Sequence, residues 1–456
     1  MSMSRGLNVA PFLVGHPART SKSSGRKGAL RRDMIPPCQH APYSMGWTKQ
    51  TSDIMKPLSE SPSAVKAAVN RFIAIAVTLG IVMASATLAS PLYPLYEHTL
   101  GITPAGITIA YSAYMAGALL ALLSLAHLSE HVGFVHALRV AILLLLVGLL
   151  ISSDAHALPV LAAGRFAIGL AAGMASSAAT AGLAALEPRG QVWRAPLVGS
   201  VMTVAGFGLG PFVAGAAAQF LPHPLITPYL MFAVAAVLAW IALTALPADG
   251  SIGLIRQFRP KLRFHLPAVH AMRPFALAAL TTFVGYTLLS LYASLAPSFL
   301  VELLPWRGPA VTGAGVALLF AGSALAQLAL RRVSSTHGLT VGAALIAASV
   351  GFLVLSLAVH SGILFIASDL LGGFGQGLAF MSAVAMVNNI PSGDHGGRIV
   401  SSFFSVAYVG GIVPIVAFGL MSAWIGVFAA IAWLSAALAL TALLLATIAH
   451  RTAKPA

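Results

Sequence analysis

Twelve long apolar stretches follow one another between residues 72 and 449 of this chain of 456 residues. A helix needs about 20 such residues to cross ~30 Å of hydrocarbon. Charged residues make up only 8% of the chain, against about 25% in soluble domains, so lipid must cover much of the apolar surface. The spans must be helices, because a backbone in lipid has to satisfy its own hydrogen bonds. The predicted spans are 72–96, 105–126, 137–154, 158–186, 195–221, 225–247, 274–300, 309–330, 338–359, 361–388, 399–421 and 423–449.

Two charged residues lie deep inside these spans, Arg165 and Asp369, and they occupy matching places in the two halves of the chain. Each is followed by two glycines at four-residue spacing, and the offset between the halves is 204 residues at all three positions. The glycines are Gly169 and Gly173 in the first half and Gly373 and Gly377 in the second. A charge at the centre of a bilayer costs at least about 2.5 kcal/mol, so such residues usually serve a function. A duplicated chain with one buried charge of each sign predicts a membrane transporter.

The basic segment 248–273 separates six spans from six, and its two prolines discourage one continuous helix. Across it Pro94 matches Pro297 and Pro211 matches Pro414, both at an offset of 203 residues. The predicted fold is an all-α membrane protein whose twelve helices form two pseudo-symmetric six-helix bundles, with the substrate site between them. The predicted segments are a basic tail over 1–70, bundles over 71–247 and 274–449, the linker over 248–273 and a tail over 450–456. We expect the first tail to be a disordered cytoplasmic segment, or to reflect a start codon placed too far upstream.

The distribution of lysine and arginine predicts the orientation in the membrane. If the N-terminus is cytoplasmic, 24 of the 26 basic residues fall on the cytoplasmic side, and the exceptions are Arg165 and Arg307. This bias follows the positive-inside rule and predicts that both termini are cytoplasmic. The net charge of +15 then reflects topology and attraction to anionic lipid headgroups, and no nucleic acid partner is required. The composition, rich in alanine and glycine, suits the plasma membrane of a bacterium.

The loop between the second and third spans resembles a motif of the major facilitator superfamily, which usually reads G-x-L-A/S-D-R-x-G-R-R. The residues that fit are Leu128, Ser129 and Gly133, with Glu130 in place of the aspartate. The basic residues of the motif are replaced, so the resemblance implies a latch between helix ends that is weaker or differently built. The resemblance covers residues 72–449.

Two further stretches carry the same resemblance. Arg165 begins the R-x-x-x-G pattern of the fourth span, where the family's arginine is associated with proton coupling. The fifth span resembles the G-x-x-x-G-P-x-x-x-G stretch of drug/proton antiporters. Simple helix packing is the alternative for these small residues. The residues of this antiporter-like motif are Gly206, Gly208, Gly210, Pro211 and Gly215.

The loop also contains His127, Glu130 and His131 at the spacing of an inverted zinc-protease motif. An intramembrane metal-dependent hydrolase is therefore an alternative of a different class. No third ligand is evident, however, and the single cysteine, Cys38, excludes a cysteine-based metal cluster. We predict that the chain is not an enzyme and needs neither a metal nor a cofactor.

The sequence favours a secondary active transporter that exports small organic molecules in exchange for protons and functions as a monomer. Asp369 is the predicted proton carrier and Arg165 its partner. The alternative for Asp369 is a permanent structural ion pair, and the alternative for Arg165 is a tether that fixes the geometry of the helices. A symporter that imports a small solute is the alternative of the same fold. Because few amides or acids lie in the spans, an apolar cavity for lipophilic or cationic compounds is favoured. The candidate cavity residues are Tyr111, Tyr114, Tyr286, Tyr292, Gln376 and Tyr408.

Overall fold

The computed structural model describes residues 62–125, 128–191, 194–247, 264–303, 307–330, 332–390 and 396–453. These ranges are helical without strands, and twelve of their helices are long and apolar enough to cross a membrane, as predicted. The spanning helices are α1 Pro62–Thr87, α2 Pro104–Ser124, α3 Phe134–Ser153, α4 Leu158–Ala185, α5 Arg194–Phe220, α6 Thr227–Thr244, α7 Met272–Ser294, α8 Pro309–Ala329, α9 Ser335–Ala358, α10 Gly362–Asn388, α11 Gly396–Ile425 and α12 Val427–Ala453. Short elements between them are the 3-10 turns Ser90–Leu92 and Val269–Ala271 and the helices Tyr93–Leu100, Leu128–Val132 and Ala296–Leu303.

The first and seventh spans break at equivalent places, although we predicted one continuous helix in each. α1 ends at Thr87 and α7 ends at Ser294, and a short helix follows each of them. Those short helices carry Pro94 and Pro297 in their first turns. Proline lacks a backbone N–H and fits the first turn of a helix, where no N–H is needed, better than the interior. The repeated prolines therefore restart the helix at the same place in both halves.

Two separate hydrophobic cores match the two predicted bundles. The first core comes almost entirely from residues between Phe72 and Leu246 on α1–α6, and the second comes from residues between Ala271 and Ala449 on α7–α12. Most of the predicted tail over 1–70 and of the linker over 248–273 lies outside the described residues.

Arg139 near the start of α3 bonds to the end of a neighbouring helix. Its guanidinium donates to the backbone carbonyl of Leu243 at 2.8 Å and to that of Leu246 at 3.2 Å. The last carbonyls of a helix lack partners within the helix. Arg139 supplies such partners at the C-terminus of α6, which is how a charge at the end of an otherwise apolar span is satisfied.

The two bundles meet through α5 with α8 and α2 with α11. Pro62 and Ala453 lie at one end of the molecule, here termed the terminal end, because an even number of antiparallel spans separates them. The opposite end is termed the distal end. There α5 and α8 approach so closely that a carbon added to Gly313 would lie 2.3 Å from the Pro211 carbonyl oxygen. Towards the terminal end, a cavity of about 480 Å³ lies between the same two helices.

A polar contact also joins the bundles at the distal end. The Ser298 hydroxyl donates a 2.8 Å hydrogen bond to the Glu97 carboxylate. Nearby, the Gln219 side-chain oxygen accepts a 3.0 Å bond from the backbone N–H of Ala310. The halves are therefore joined at the distal end.

Candidate functional site

Arg165 is fully buried in α4, two turns from the start of that helix. Its Nη1 donates a 2.8 Å hydrogen bond to the backbone carbonyl of Ala86. That carbonyl lies in the last turn of α1, where the end of the helix removes its usual N–H partner. The Nε and Nη2 atoms of Arg165 have no hydrogen-bond partner among the described residues. Arg165 therefore ties α4 to the broken end of α1 and keeps donors available for another group.

Five buried tyrosines, here termed the tyrosine cluster, surround the Arg165 guanidinium. Its central carbon lies 4.8 Å from the centre of the Tyr114 ring, a distance that gives a cation–π attraction. The other four lie within electrostatic range of Arg165, and they are Tyr93, Tyr96, Tyr111 and Tyr229. The Tyr93 hydroxyl meets the strict geometry of a hydrogen bond with no described residue, but it lies close enough to the Arg165 guanidinium to interact with it.

Of the tyrosine cluster, only Tyr111 and Tyr114 were predicted from the sequence. The spacing of Tyr93 and Tyr96 could have marked them as a pair, since residues three apart share one face of a helix. No sequence pattern marked Tyr229 as a member of the cluster. Its hydroxyl accepts a 3.2 Å bond from that of Tyr96, which is 133 residues away in the chain.

Asp369 occupies the equivalent place in the second half, two turns from the start of α10. Only 3% of its surface is exposed. Its Oδ2 has no hydrogen-bond partner, and no described residue forms an ion pair with the carboxylate. An ionised carboxylate in such a place is costly, because neither water nor a cation offsets its charge.

Tyr292 lies within electrostatic range of Asp369 but bonds to serines of the second bundle. Its hydroxyl bonds to that of Ser349 at 3.2 Å and to that of Ser368. Ser368 in turn donates to the Ser349 backbone carbonyl at 2.7 Å. Tyr292 is thus a buried bridge between α7, α9 and α10, although sequence analysis assigned it to the substrate cavity.

Arg165 and Asp369 do not contact each other in this conformation. The described residues show no ion pair between them. Arg165 bonds to α1 of the first bundle, and Asp369 lies on α10 of the second. The predicted pairing would therefore require another conformation of the two bundles.

The interface between the bundles has an aromatic wall on the second half, formed by Tyr286, Phe380, Phe404 and Tyr408. The rings of Tyr286 and Tyr408 meet edge to face, with their centres 5.6 Å apart. The Phe380 ring lies 6.2 Å from Tyr286 and 6.1 Å from Phe404. All four side chains are half-buried. The two tyrosines were predicted from the sequence and the two phenylalanines were not, because an apolar residue in an apolar span has no distinguishing pattern.

The aromatic wall faces two tyrosines of the first half. Tyr286 and Tyr408 pack against the core of the first bundle. Tyr111 and Tyr114 both lie within electrostatic range of Tyr408. Four of the six predicted cavity residues thus come together where α2, α7 and α11 meet.

Gln376 belongs to a polar chain between α8 and α10 rather than to the aromatic wall. Its Oε1 accepts a 2.8 Å hydrogen bond from the Ser323 hydroxyl. That hydroxyl accepts a 3.1 Å bond from Nε2 of Gln327. These three residues, termed the amide–serine chain, connect the terminal half of α8 with the middle of α10.

The antiporter-like motif of α5 packs against two different helices. A carbon added to Gly206 would lie 2.6 Å from a backbone oxygen of α1, and one added to Gly210 would lie 2.1 Å from another. Gly215 instead approaches the Pro309 carbonyl of α8. Gly208 faces Phe320 of α8 with more space. The motif therefore lets α5 approach both α1 within its own bundle and α8 across the interface.

Pro211 in this motif leaves a carbonyl free, and a threonine of α1 bonds to it. Proline cannot donate to the carbonyl four residues earlier, which belongs to Phe207. Thr87 donates a 3.0 Å bond to that oxygen. The second half repeats the arrangement, since Thr287 of α7 donates a 2.8 Å bond to the Gly410 carbonyl, four residues before Pro414.

The loop motif between α2 and α3 is only partly described. Leu128 and Ser129 begin a short helix, and Gly133 follows it with φ +82°, a left-handed conformation that suits glycine. The side chain of Glu130 and residue 127 lie outside the described residues. Among the described residues, no group of three histidine, cysteine or acidic side chains could hold a metal ion.

Comparison with known proteins agrees with this architecture. The family model of the Major Facilitator Superfamily matches residues 75–367. No curated protein matches the sequence. The fold is similar to a mutant of the nucleoside transporter NupG, with a TM-score of 0.64 and 13% identity over 84% of this chain and 100% of that one.

Two peptide-transporter structures are similar as well. One is a mutant of the peptide transporter POT with alafosfalin, with a TM-score of 0.67 and 13% identity over 86% of this chain and 99% of that one. The other is a POT family transporter with 5-aminolevulinic acid, with a TM-score of 0.66 and 12% identity over 88% of this chain and 98% of that one. At such identities these likenesses concern the fold, whereas the family model covers most of the chain. The chain belongs to the Major Facilitator Superfamily and is a membrane transporter rather than an enzyme.

Proposed function

We propose that this transporter exports small organic molecules in exchange for protons, with Asp369 as the proton carrier. The observation that carries the proposal is the buried carboxylate of Asp369, with which no described residue forms an ion pair. A buried charge without a partner is costly, and binding a proton removes that cost. A group of this kind gains and loses a proton as its surroundings alternate between dry and hydrated.

Arg165 is the second component of the proposed cycle. Its Nε and Nη2 atoms have no hydrogen-bond partner in the part of the chain that the structure describes, so they can donate to a carboxylate or a substrate anion when the bundles rearrange. When the bundles bring Asp369 close to Arg165, the attraction between them favours release of the proton. In the conformation described, the two groups are separated and the carboxylate is suited to hold a proton.

The proposed orientation has both termini in the cytoplasm and the protein in the plasma membrane, by the positive-inside rule. Contact between the bundles at the distal end then makes this an inward-facing conformation. The monomer is the proposed transporting unit, because alternating access needs only the two bundles of one chain.

Export is favoured over import by the antiporter-like motif of α5 and by the largely apolar surface of the aromatic wall. The aromatic wall offers ring surfaces, whereas recognition of a sugar requires several amides and acids. A symporter that imports a small solute is the second candidate, because the transporters of similar fold are named for nucleosides and peptides, which are polar molecules.

Dye retention in an efflux-deficient bacterial host tests the proposal. Cells with the wild-type protein should retain less of at least one dye, and a protonophore should remove the effect. Asp369→Asn should also remove it, because the amide cannot exchange a proton. The matched control is Asp154→Asn, which removes an exposed acid at the distal end of α3. Greater retention with the wild-type protein would indicate import, and wild-type behaviour of Asp369→Asn would make this carboxylate structural.

A further inference from the structure

Three buried hydroxyl groups beside Asp369 form a chain of hydrogen bonds, here termed the hydroxyl chain, and its direction follows from their hydrogen atoms. Each hydroxyl group has one hydrogen to donate. Ser368, the residue before Asp369, donates its hydrogen to the Ser349 backbone carbonyl at 2.7 Å. The bond between Tyr292 and Ser368 must therefore use the hydrogen of Tyr292. The 3.2 Å bond between Tyr292 and Ser349 must then use the hydrogen of Ser349.

The direction of the hydroxyl chain explains why Asp369 receives no hydrogen bond from it. All three hydrogens are committed to other oxygen atoms. The buried Oδ2 of Asp369 has no hydrogen-bond partner among the described residues. An ionised carboxylate is stabilised by donors that bond to it. In this conformation the hydroxyl chain therefore withholds the donors that the charged form of Asp369 needs.

Packing between three helices holds the hydroxyl chain in place. Tyr292, Ser349 and Ser368 lie on α7, α9 and α10, and all three are buried. On α10, Gly372 makes room for the serine of α9, because a carbon added to Gly372 would lie 2.6 Å from the Ser349 Oγ. The Phe365 ring lies with its centre 6.1 Å from that of Tyr292. The bonds of the hydroxyl chain are thus kept only while α7 stays in this position.

Tyr292 lies close to the break in α7, which connects it with the contact between the bundles. α7 ends at Ser294, two residues after Tyr292, and the short helix Ala296–Leu303 follows. That short helix carries Ser298, whose hydroxyl donates to Glu97 of the first bundle. Separation of the bundles at the distal end breaks this bond and moves the chain next to Tyr292. Of the hydroxyl chain, Tyr292 is therefore the member closest to the moving contact.

The helices packed against α10 place few other titratable groups near Asp369. These helices are α7, α8, α9, α11 and the short helix after α7, and α8 has no titratable residue. Apart from Tyr292, the titratable residues of α7, α9 and α11 are Arg273, Tyr286, His337, Arg398 and Tyr408. The arginines and the histidine lie in the first turns of their helices at the terminal end, and the two tyrosines belong to the aromatic wall. The side chain of Glu302 lies outside the described residues.

We propose that Tyr292 is a positioning residue for the proton carrier and acts as a hydroxyl switch. While the bundles touch at the distal end, its hydrogen is held by Ser368. When the distal end opens, Tyr292 donates this hydrogen bond to the ionised carboxylate of Asp369. The protonated form then favours the conformation described and the ionised form favours the opened one, as exchange of a proton for a substrate requires. The inference rests on the proposed role of Asp369 as proton carrier.

Infrared spectroscopy of the purified full-length protein tests the switch, through the carboxylic acid band that Asp369→Asn removes. Tyr292→Phe should raise the pH at which half of Asp369 is protonated by about one unit, a tenfold change in proton affinity, because the ionised form loses a donor. Ser368→Ala should lower that pH, because the Tyr292 hydrogen becomes available in the conformation described. The protein with both substitutions should behave like Tyr292→Phe alone.

The matched control removes a buried hydroxyl that is not part of the hydroxyl chain. Ser356 of α9 is fully buried and donates to the Leu353 carbonyl of its own helix at 2.7 Å. Ser356→Ala should leave the pH of half-protonation at the wild-type value. Melting temperatures of all variants show whether they are folded.

A cross-link at the distal end tests whether the switch depends on opening. Glu97→Cys and Ser298→Cys, in a Cys38→Ser background, are joined by a short bifunctional thiol reagent. With the distal end held closed, Tyr292→Phe should no longer change the pH of half-protonation, whereas Ser368→Ala should still lower it.

The outcomes separate the switch from the proposed function. A wild-type pH of half-protonation in Tyr292→Phe, an unchanged or raised value in Ser368→Ala, or equal shifts with and without the cross-link would overturn the switch. Asp369 would then remain a proton carrier, and Tyr292 would only hold the helices together. If no band removed by Asp369→Asn changed with pH, Asp369 would not exchange protons, and the proposed function would fail together with the switch.

Discussion

In the first half of the molecule the buried charge of α4 is held by a hydrogen bond to a backbone carbonyl. In the second half, no described residue bonds to the Oδ2 atom of the buried acid of α10. Arg165 lies among tyrosines, and Asp369 lies beside a bridge of one tyrosine and two serines that does not bond to it. The positions match along the chain, but the surroundings do not.

The backbones of the halves, in contrast, remain alike. α1 and α7 break at equivalent places, and α5 and α11 each contain a proline whose freed carbonyl is bonded by a threonine. The comparison indicates that the repeat preserves the helix framework, on which each half has acquired its own chemistry. We expect the first half to use its charge partly for stability and the second to use its charge for coupling.

The largest predicted difference between the halves concerns the two buried charges. Arg165→Gln should lower the free energy of unfolding by about 1.5–3 kcal/mol, the usual contribution of a hydrogen bond from a charged group. Asp369→Asn should leave stability unchanged or raise it, because it removes a buried charge without a partner. Both should abolish proton-coupled transport. Thermal unfolding in detergent measures the difference, and an equal loss of stability in both variants would contradict it.

A second prediction tests whether the close helix contacts are shared. A side-chain carbon at Gly169 would lie 2.0 Å from the Tyr114 carbonyl oxygen, and one at Gly373 would lie 2.2 Å from that of Leu319. Replacing either glycine with alanine should therefore destabilise the protein by about 1–3 kcal/mol, because the helices must separate.

The control for these variants is Gly351→Ala in α9, where an added carbon meets nothing within 4 Å. Its stability should equal or exceed that of the wild type, since alanine favours a helix. If only one of the two close-contact variants lost stability, the helix framework would not be shared between the halves.

The smallest predicted effect concerns the threonines that bond to the freed carbonyls. Thr87→Val and Thr287→Val should each cost about 0.5–1.5 kcal/mol, the usual net contribution of a neutral hydrogen bond. Thr441→Val is the control, because the Thr441 hydroxyl is exposed and bonds only within its own helix. Chemical unfolding of the three variants provides the measurement. A loss confined to one half would show that its proline kink is supported differently.

Helix number, the division into two bundles and the position of the buried charges were predictable from sequence, because hydrophobic stretches and repeated prolines are local signals. The helix breaks were not predicted, although Pro94 and Pro297 marked them. Their effect on helix continuity depends on packing around the break, and proline alone does not define it.

The contacts of the site were less predictable than its members. Tyr292 and Gln376 were selected as polar residues in apolar spans, yet they bond to serines that sequence analysis did not consider. Phe380 and Phe404 lie beside the selected tyrosines and have no distinguishing local pattern. Which side chains meet depends on the rotation of helices that are far apart in the chain, and a single sequence does not encode that rotation locally.

The central claim is that Asp369 couples transport to protons. Its most direct test uses purified protein reconstituted into vesicles in the inside-out orientation. An imposed pH gradient drives the transport, and the cargo is a compound selected by the retention assay. Wild-type protein should accumulate the compound only while the gradient is present, and Asp369→Asn should lose this accumulation while its melting temperature stays equal to or above that of the wild type. Gradient-driven accumulation by Asp369→Asn at the wild-type rate would contradict the claim.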